Sequence, residues 1–376
     1  MTPVELSRTV LRAVRRAVEE GELKVAVPER VVVAPPGGGG CGDYATGVAL
    51  QLARPAGQTP QRVAGILRAQ LLRQSGIREV AVTGPGFLNI SLGGSAAVAL
   101  VAEILAAGVR YGEGDALRGQ VVRLGVPSEV RAVVQGEVLV RLLRSQGADA
   151  RLVHLTDLAP RTQVSRPSGS SGRDAEGEGV RLPQEWSAVL GVPAVLPAPD
   201  GDVSALAPVP VPVPAPADVL TLGRDAARWA LLYPAPHDRP DVPGVHLLQR
   251  ESNPLFRVRY AHARVRSLLR NAADLGYASE PGEAAGQAGA ERALLALLGD
   301  HPRVLAAAAA QRAPDRVARQ LVAVADAVMP LLPAVLPLGE EKPSAAHRAR
   351  LALAEAAGAV LAGGLDLLGI DAPDHL

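Results

Sequence analysis

The residues best placed to do chemistry lie in the run Arg257-Val258-Arg259-Tyr260-Ala261-His262-Ala263-Arg264-Val265-Arg266. Arg257, Tyr260 and Arg264 fall at i, i+3 and i+7, so a helix lines them along one face. A guanidinium on such a face can hold a phosphate and stack on a planar base. A phenol ring offers an unstacked base a flat surface. That chemistry is RNA contact. On residue types alone a second reading stays open, with Tyr260 packed into a helical core and the arginines merely solvated. His262 sits between them, and a lone histidine on a helix reads as a packed or hydrogen-bonded side chain rather than a catalyst. Phe87 and Asn89 flank Leu88 on an expected strand and can share one face. Phe87 reads equally as core or as a base platform.

Other chemistry lacks its residues. The Asp and Glu positions show no metal-ligand spacing, and no Gly-x-Ser-x-Gly or Cys/His pair points to a nucleophile. Asp157 and Asp225 read as structural or capping groups. One cysteine, Cys41, excludes an internal disulfide and a multi-cysteine metal site. The Gly37–Gly40 run has no Lys-Ser/Thr after it, so it reads as a turn and not as a phosphate loop. With 39 basic against 38 acidic residues, no global basic field draws nucleic acid in. Only Lys24 and Lys342 are lysines. The charged, amphipathic N-terminus is not a signal peptide, and no apolar run approaches the roughly 20 residues that span a bilayer. A cytoplasmic protein with no membrane partner is the expectation.

Elements that would position these residues follow from periodicity. Residues 4–20 and 61–74 read as amphipathic helices. Val31–Val33, Glu79–Thr83 and Phe87–Leu92 read as strands, the last two joined by the Gly84-Pro85-Gly86 turn. A helix over 95–108 precedes one βαβ unit: strand Val121–Val126, helix 129–147, strand 151–155. From about 160 to 217 the pattern collapses into a Ser/Gly-rich stretch (Ser168–Gly172) and the Val/Pro alternation of 209–216. Proline there removes amide donors and fixes φ, which predicts a polyproline-like linker. Beyond it, Asp218 or Thr221 is expected to cap a helix through Ala226–Leu232. Apolar-periodic segments at 254–275, 287–299, 302–311, 314–329 and 345–368 predict an all-α bundle built on Ala, Val and Leu. The fold class is therefore α+β and multidomain.

The Tyr260-Ala261-His262-Ala263-Arg264 run resembles the signature that opens the anticodon-binding (DALR) domain of class I arginyl-tRNA synthetases. Glu251–Pro254, His301–Val304, Pro314–Arg319 and Gly364–Pro373 extend that likeness, and Leu222–Arg228 looks like the segment closing the family's catalytic domain. Gly42-Asp43-Tyr44-Ala45-Thr46, Ala49–Ala53 and Gly84–Ile90 resemble the family's additional N-terminal domain, which touches the tRNA elbow. The resemblance implies three parts. Residues 1–92 form a small N-terminal α/β domain that grips the elbow. Residues 93–225 form a degenerate, Rossmann-like catalytic remnant with its linker. Residues 226–376 form the all-α anticodon-binding bundle. It implies tRNA or a tRNA-like RNA as partner, not DNA, held by Arg257, Tyr260, His262, Arg264, Tyr44, Phe87 and Asn89.

A class I synthetase also binds ATP between a His-Ile-Gly-His-type motif and a Lys-Met-Ser-Lys-Ser-type loop, whose donors stabilise developing charge. No two of the seven histidines are three apart, and no lysine lies between Lys24 and Lys342. Where the first motif would follow strand 121–126, the chain reads Pro127-Ser128-Glu129-Val130-Arg131-Ala132. The helix behind it, Gly136–Arg144, keeps its likeness to the family. The expectation is an arginyl-tRNA synthetase paralogue with catalytic residues lost, binding tRNA without a cofactor. Two alternatives stand beside it: an ATP-dependent arginine–tRNA ligase, and a protein-interaction module that binds no RNA.

Overall fold

The computed structural model describes residues 2–34, 36, 42–74, 76–155, 179–199, 212–215, 219–240, 244–282 and 289–376. The glycine turn at 37–40, Cys41, Asp157, the stretch 168–172 and Asp218 lie outside the described residues.

The N-terminal unit begins with α1 (Pro3–Glu19), whose Thr2 hydroxyl accepts from the Glu5 amide while the Glu5 carboxylate accepts from the Thr2 amide. That capping box and Pro3 in the first turn fix where the helix starts. β1 (Tyr44–Thr46) and α2 (Val48–Ala53) follow, then α3 (Pro60–Leu72), β2 (Ile77–Thr83) and β3 (Phe87–Leu92). The three strands are antiparallel in the order β1-β3-β2. Leu88 and Ile90 of β3 are fully buried, in one core with Leu6, Val10 and Val14 of α1 and Leu67 and Leu71 of α3. Val31–Val33 is not a strand. Only Ala34 bridges Ala45, because β1 is three residues long and offers no more edge to pair with.

α4 (Gly94–Ala107) leads to the expected βαβ unit: β4 (Val121–Val126), α5 (Val130–Ser145) and β5 (Asp149–His154), with β4 and β5 parallel from Val121–Asp149 to Val126–His154. Gly136 lets α5 lie on these strands, since a Cβ there would meet Leu152 and Val126 side chains at 2.6 and 2.9 Å. The stretch expected to be one linker is only partly so. It contains β6 (Val180–Arg181), α6 (Gln184–Leu190) and β7 (Val195–Leu196), and the His154 amide donates to the Pro197 carbonyl. Leu182, Leu190 and Leu196 supply the burial that holds this island down. Its few apolar positions were hidden by the surrounding Pro, Gly and Ser.

The rest is helical: α7 (Arg224–Leu232), α8 (Pro254–Asp274), α9 (Gly289–Gln311), α10 (Asp315–Val328) and α11 (Ala345–Leu368). Gly223, not a capping side chain, precedes α7. Pro302 does not divide α9, which runs through it as one helix. The proline leaves the Leu298 carbonyl without its helical donor, and the Gln320 amide donates to the neighbouring Leu297 carbonyl, tying this turn to α10. Three segments, 289–311, 315–334 and 345–368, are long and apolar enough by length and composition to cross a membrane, contrary to expectation. Alanine makes them so, and here they pack in the bundle, the most apolar stretch of α11 being 72% buried. One continuous core runs from Leu100 and Ile104 of α4 through the βαβ unit into α7–α11.

Candidate nucleic-acid interface

α8 is positioned from its first residue. The Asn253 side chain accepts from the Leu255 amide and donates to the His246 and Leu248 carbonyls, which ties the incoming loop to the helix end. Val258, Ala261 and Val265 bury one face. The opposite face carries Tyr260, 37% exposed, with its ring stacked on Phe256 at 5.3 Å between centroids and 23° between planes. Phe256 thus stiffens the platform from below. Arg264 is exposed and has no hydrogen bond or ion pair among the described residues. Arg257 is held by Asp326 of α10, its Nη1 lying 2.7 and 2.8 Å from the two carboxylate oxygens. Arg259 pairs with Asp225 at 3.4 Å and Arg266 with Asp374 at 2.8 Å. Of the arginines on this helix, Arg264 is the one free to meet a phosphate beside Tyr260.

Three expected contact residues are placed otherwise. His262 is 5% exposed, and its Nδ1 bonds the Pro373 carbonyl at 3.0 Å, which requires the proton on Nδ1. Burial pulls its pKa down, so it is a neutral clamp on the C-terminal segment. Asn89 is 2% exposed, because β3 is the central strand, and its amide donates to the Thr83 hydroxyl at 2.6 Å. Tyr44 is 5% exposed, its pKa pushed up to about 12 first by burial and then by the nearby Asp300 charge. It lies where the N-terminal unit meets α9. Phe87 is 42% exposed and edges a cavity of about 260 Å³ with Val32, Thr46 and Gln51.

Two buried arginines were not foreseen in these roles. Arg131, at the N-terminal end of α5, is fully buried, and its guanidinium donates to the carbonyls of Leu231, Val213, Pro236, Asp238, Pro234 and Ala235 at 2.7–3.4 Å. A helix N-terminus after a strand ordinarily favours an anion. Here the Glu129 carboxylate takes that place, accepting from the Ala132 amide at 2.8 Å and from the Ala215 amide at 3.0 Å. Pro212–Ala215, the described part of the Val/Pro alternation, is docked on both side chains. Burial draws the Arg131 pKa down, and the charges of Glu129 and Asp238 oppose that. Arg228 is also fully buried. It bonds the Leu368 and Leu190 carbonyls and Glu137, joining α7 to α11, α6 and α5. The only sequence signal for Arg131 was the altered motif at 127–132.

Among the described residues no His/Cys/Asp/Glu group could hold a metal ion. The DALR anticodon binding domain matches residues 258–376, and the arginyl-tRNA synthetase N-terminal domain matches residues 5–92. The arginine–tRNA ligase of Frankia alni is 28% identical over 552 aligned residues, covering 100% of both chains. That of Renibacterium salmoninarum is 29% identical over 550, again covering 100% of both. Both alignments are longer than the 376 residues of this chain, so part of each relative has no counterpart in it. The arginine–tRNA ligase of Micrococcus luteus is 38% identical over 164 residues, 40% of this chain and 30% of that one. In fold the chain is similar to Thermus thermophilus arginyl-tRNA synthetase (TM-score 0.64, 17% identity, 100% of both chains). It is likewise similar to the Plasmodium falciparum arginyl-tRNA synthetase (TM-score 0.62, 8% identity, 100% of this chain and 99% of that). With both domains matched in this order and relatives aligned from end to end, the chain carries an arginyl-tRNA synthetase N-terminal domain and a DALR anticodon binding domain and is similar to arginine–tRNA ligases along its whole length.

Proposed function

We propose that this chain binds tRNA or a tRNA-like RNA through its N-terminal and DALR domains and does not activate arginine. The observation that carries the second half is the N-terminal end of α5. Family resemblance places the His-Ile-Gly-His-type motif there, and the chain has put Arg131 with its shell of backbone carbonyls, Glu129 and the docked Pro212–Ala215 segment in that space. A triphosphate needs free amides and cations at such a helix end. Glu129 claims the Ala132 amide, and the Arg131 donors are spent on carbonyls. These residues do not fit ATP, and the lysine-free stretch from 25 to 341 offers no ammonium for a leaving pyrophosphate. Tyr260 on Phe256, the free Arg264 and the exposed Phe87 support the RNA half.

Arginine- and ATP-dependent pyrophosphate exchange, run on the whole chain, is expected to give no signal. Filter binding at moderate salt is expected to show preference for tRNA over random RNA. Exchange above background would favour the ligase reading, which the names of the aligned relatives support. Absence of any tRNA preference would sink the RNA reading and leave the protein-interaction module.

A further inference from the structure

A cavity of about 780 Å³ lies between residues 235–237 and the junction of α9 with α10. Arg303, Arg312, Arg316, Arg319 and His237 line it, against the single acid Asp315. Arg303 is taken by Asp300 and Arg319 by Asp315. Arg312 and Arg316 have no ion-pair partner among the described residues. The wall at 235–237 is fixed from behind, since Arg131 bonds the Ala235 and Pro236 carbonyls.

Two further features set this cavity apart from a solvated basic patch. α9 ends in a Schellman closure: the Ala313 amide donates to the Ala308 carbonyl and the Arg312 amide to the Ala309 carbonyl. The residue at the turning position has φ +54°, the one non-glycine with positive φ among the described residues. α11 ends in the same closure with Gly369 at φ +70°. An arginine where glycine is favoured holds a strained backbone, and such strain gathers at functional sites. Second, Asp315 is 4% exposed, and its Oδ1 is buried with no hydrogen-bond partner. A buried acceptor without a donor beside two uncommitted guanidiniums suits a ligand that joins a phosphate to a hydroxyl. The volume is in the range of small-molecule sites.

We propose that this cavity binds a ribose phosphate, with Arg312 and Arg316 on the phosphate and Asp315 accepting from a sugar hydroxyl. Two sources share that chemistry, a free ribonucleotide and the backbone of RNA. The second rests on the RNA reading above; the first does not. Arg319 and Asp326 lie seven residues apart on one face of α10, roughly 10 Å along the axis. Since Asp326 holds Arg257 beside Tyr260, one RNA strand can reach both places.

The test titrates the whole chain with AMP and with inorganic phosphate by calorimetry, and with tRNA by filter binding. The variants are Arg312→Gly with Arg316→Gln, Arg312→Lys, and Tyr260→Ala. Arg312→Gly relieves the strained φ, so its Tm is expected to match or exceed wild type, which separates lost binding from lost folding. AMP binding that weakens by about tenfold or more in the double variant, and is kept in Arg312→Lys, supports a free ribonucleotide. No AMP binding, with tRNA affinity falling by about tenfold in the double variant, supports the RNA backbone. The site is overturned if AMP does not bind and tRNA affinity is unmoved by the double variant. If Tyr260→Ala still weakens tRNA, the RNA reading survives that result. Inorganic phosphate binding as tightly as AMP overturns the role of the hydroxyl.

Discussion

At the scale of single residues, exposed and buried polar groups divide the work. Tyr260 is a half-open ring backed by Phe256, and base stacking on such a ring is worth about 1–3 kcal/mol. Tyr260→Ala is therefore expected to weaken tRNA binding by about tenfold at every salt concentration. Arg264→Ala is expected to lower the slope of log affinity against log salt by about one, as loss of one phosphate contact does. Arg257→Ala is expected to change that slope less, because Asp326 already neutralises Arg257. Equal tRNA affinity and slope across all three variants would remove α8 from the interface. Arg131 belongs to the other class. Arg131→Met is expected to cost at least about 3 kcal/mol in urea unfolding, because it orphans several buried carbonyls at once. Spacing alone, i, i+3 and i+7, placed Arg257, Tyr260 and Arg264 along one side of a helix. It could not show that Arg257 and His262 were already engaged, since Asp326 and Pro373 reach them from elements far along the chain.

At the scale of elements, the helices were legible wherever apolar periodicity was long. α11 spans the expected residues, and α1, α3, α5 and α8 differ from expectation by one or two. What failed depended on tertiary partners. Val31–Val33 had the composition of a strand but found only a short edge, and Pro302 had the composition of a break but lies inside one helix that Gln320 ties to α10. The same Gln320 accepts from His301 Nδ1 at 2.8 Å, and Tyr111 stacks on the His301 ring at 6.0 Å. His301 is 1% exposed, and burial lowers its pKa to about 4. The folded state thus binds fewer protons than the unfolded state between pH ~6.5 and ~4. Stability is therefore expected to be full above the unfolded value and to fall as pH drops through that window, by on the order of 3 kcal/mol. His262, also lowered, adds in the same direction. Urea midpoints measured at pH 7.5, 5.5 and 4.5 check this as chosen conditions, roughly spanning the window. His301→Gln is expected to flatten most of the slope, and an unchanged slope would assign the acid sensitivity elsewhere.

At the scale of the whole molecule, the expected boundary between residues 225 and 226 does not coincide with a boundary between cores. The N-terminal unit has its own core, from Leu6 to Ile90. From Leu100 onward, α4, the βαβ unit and the bundle share one. A two-stranded parallel sheet cannot cover both its faces, so β4 and β5 depend on the helices packed against them. The joints are tight: a Cβ on Gly363 of α11 would lie 2.1 Å from the Val109 carbonyl, and Arg228 crosses from α7 to α11, α6 and α5. The bundle that presents Tyr260 therefore shares its core with the segment from 93 to 225, and removing that segment would expose apolar residues of the bundle. Residues 93–376 are therefore expected to fold alone and melt in a single cooperative transition. Residues 226–376 are expected to give a loosely packed state that binds a hydrophobic dye, with helical circular dichroism but no sharp melt. A sharp, dye-free melt of 226–376 would show that the bundle folds without the segment from 93 to 225, and that segment would then require a purpose of its own.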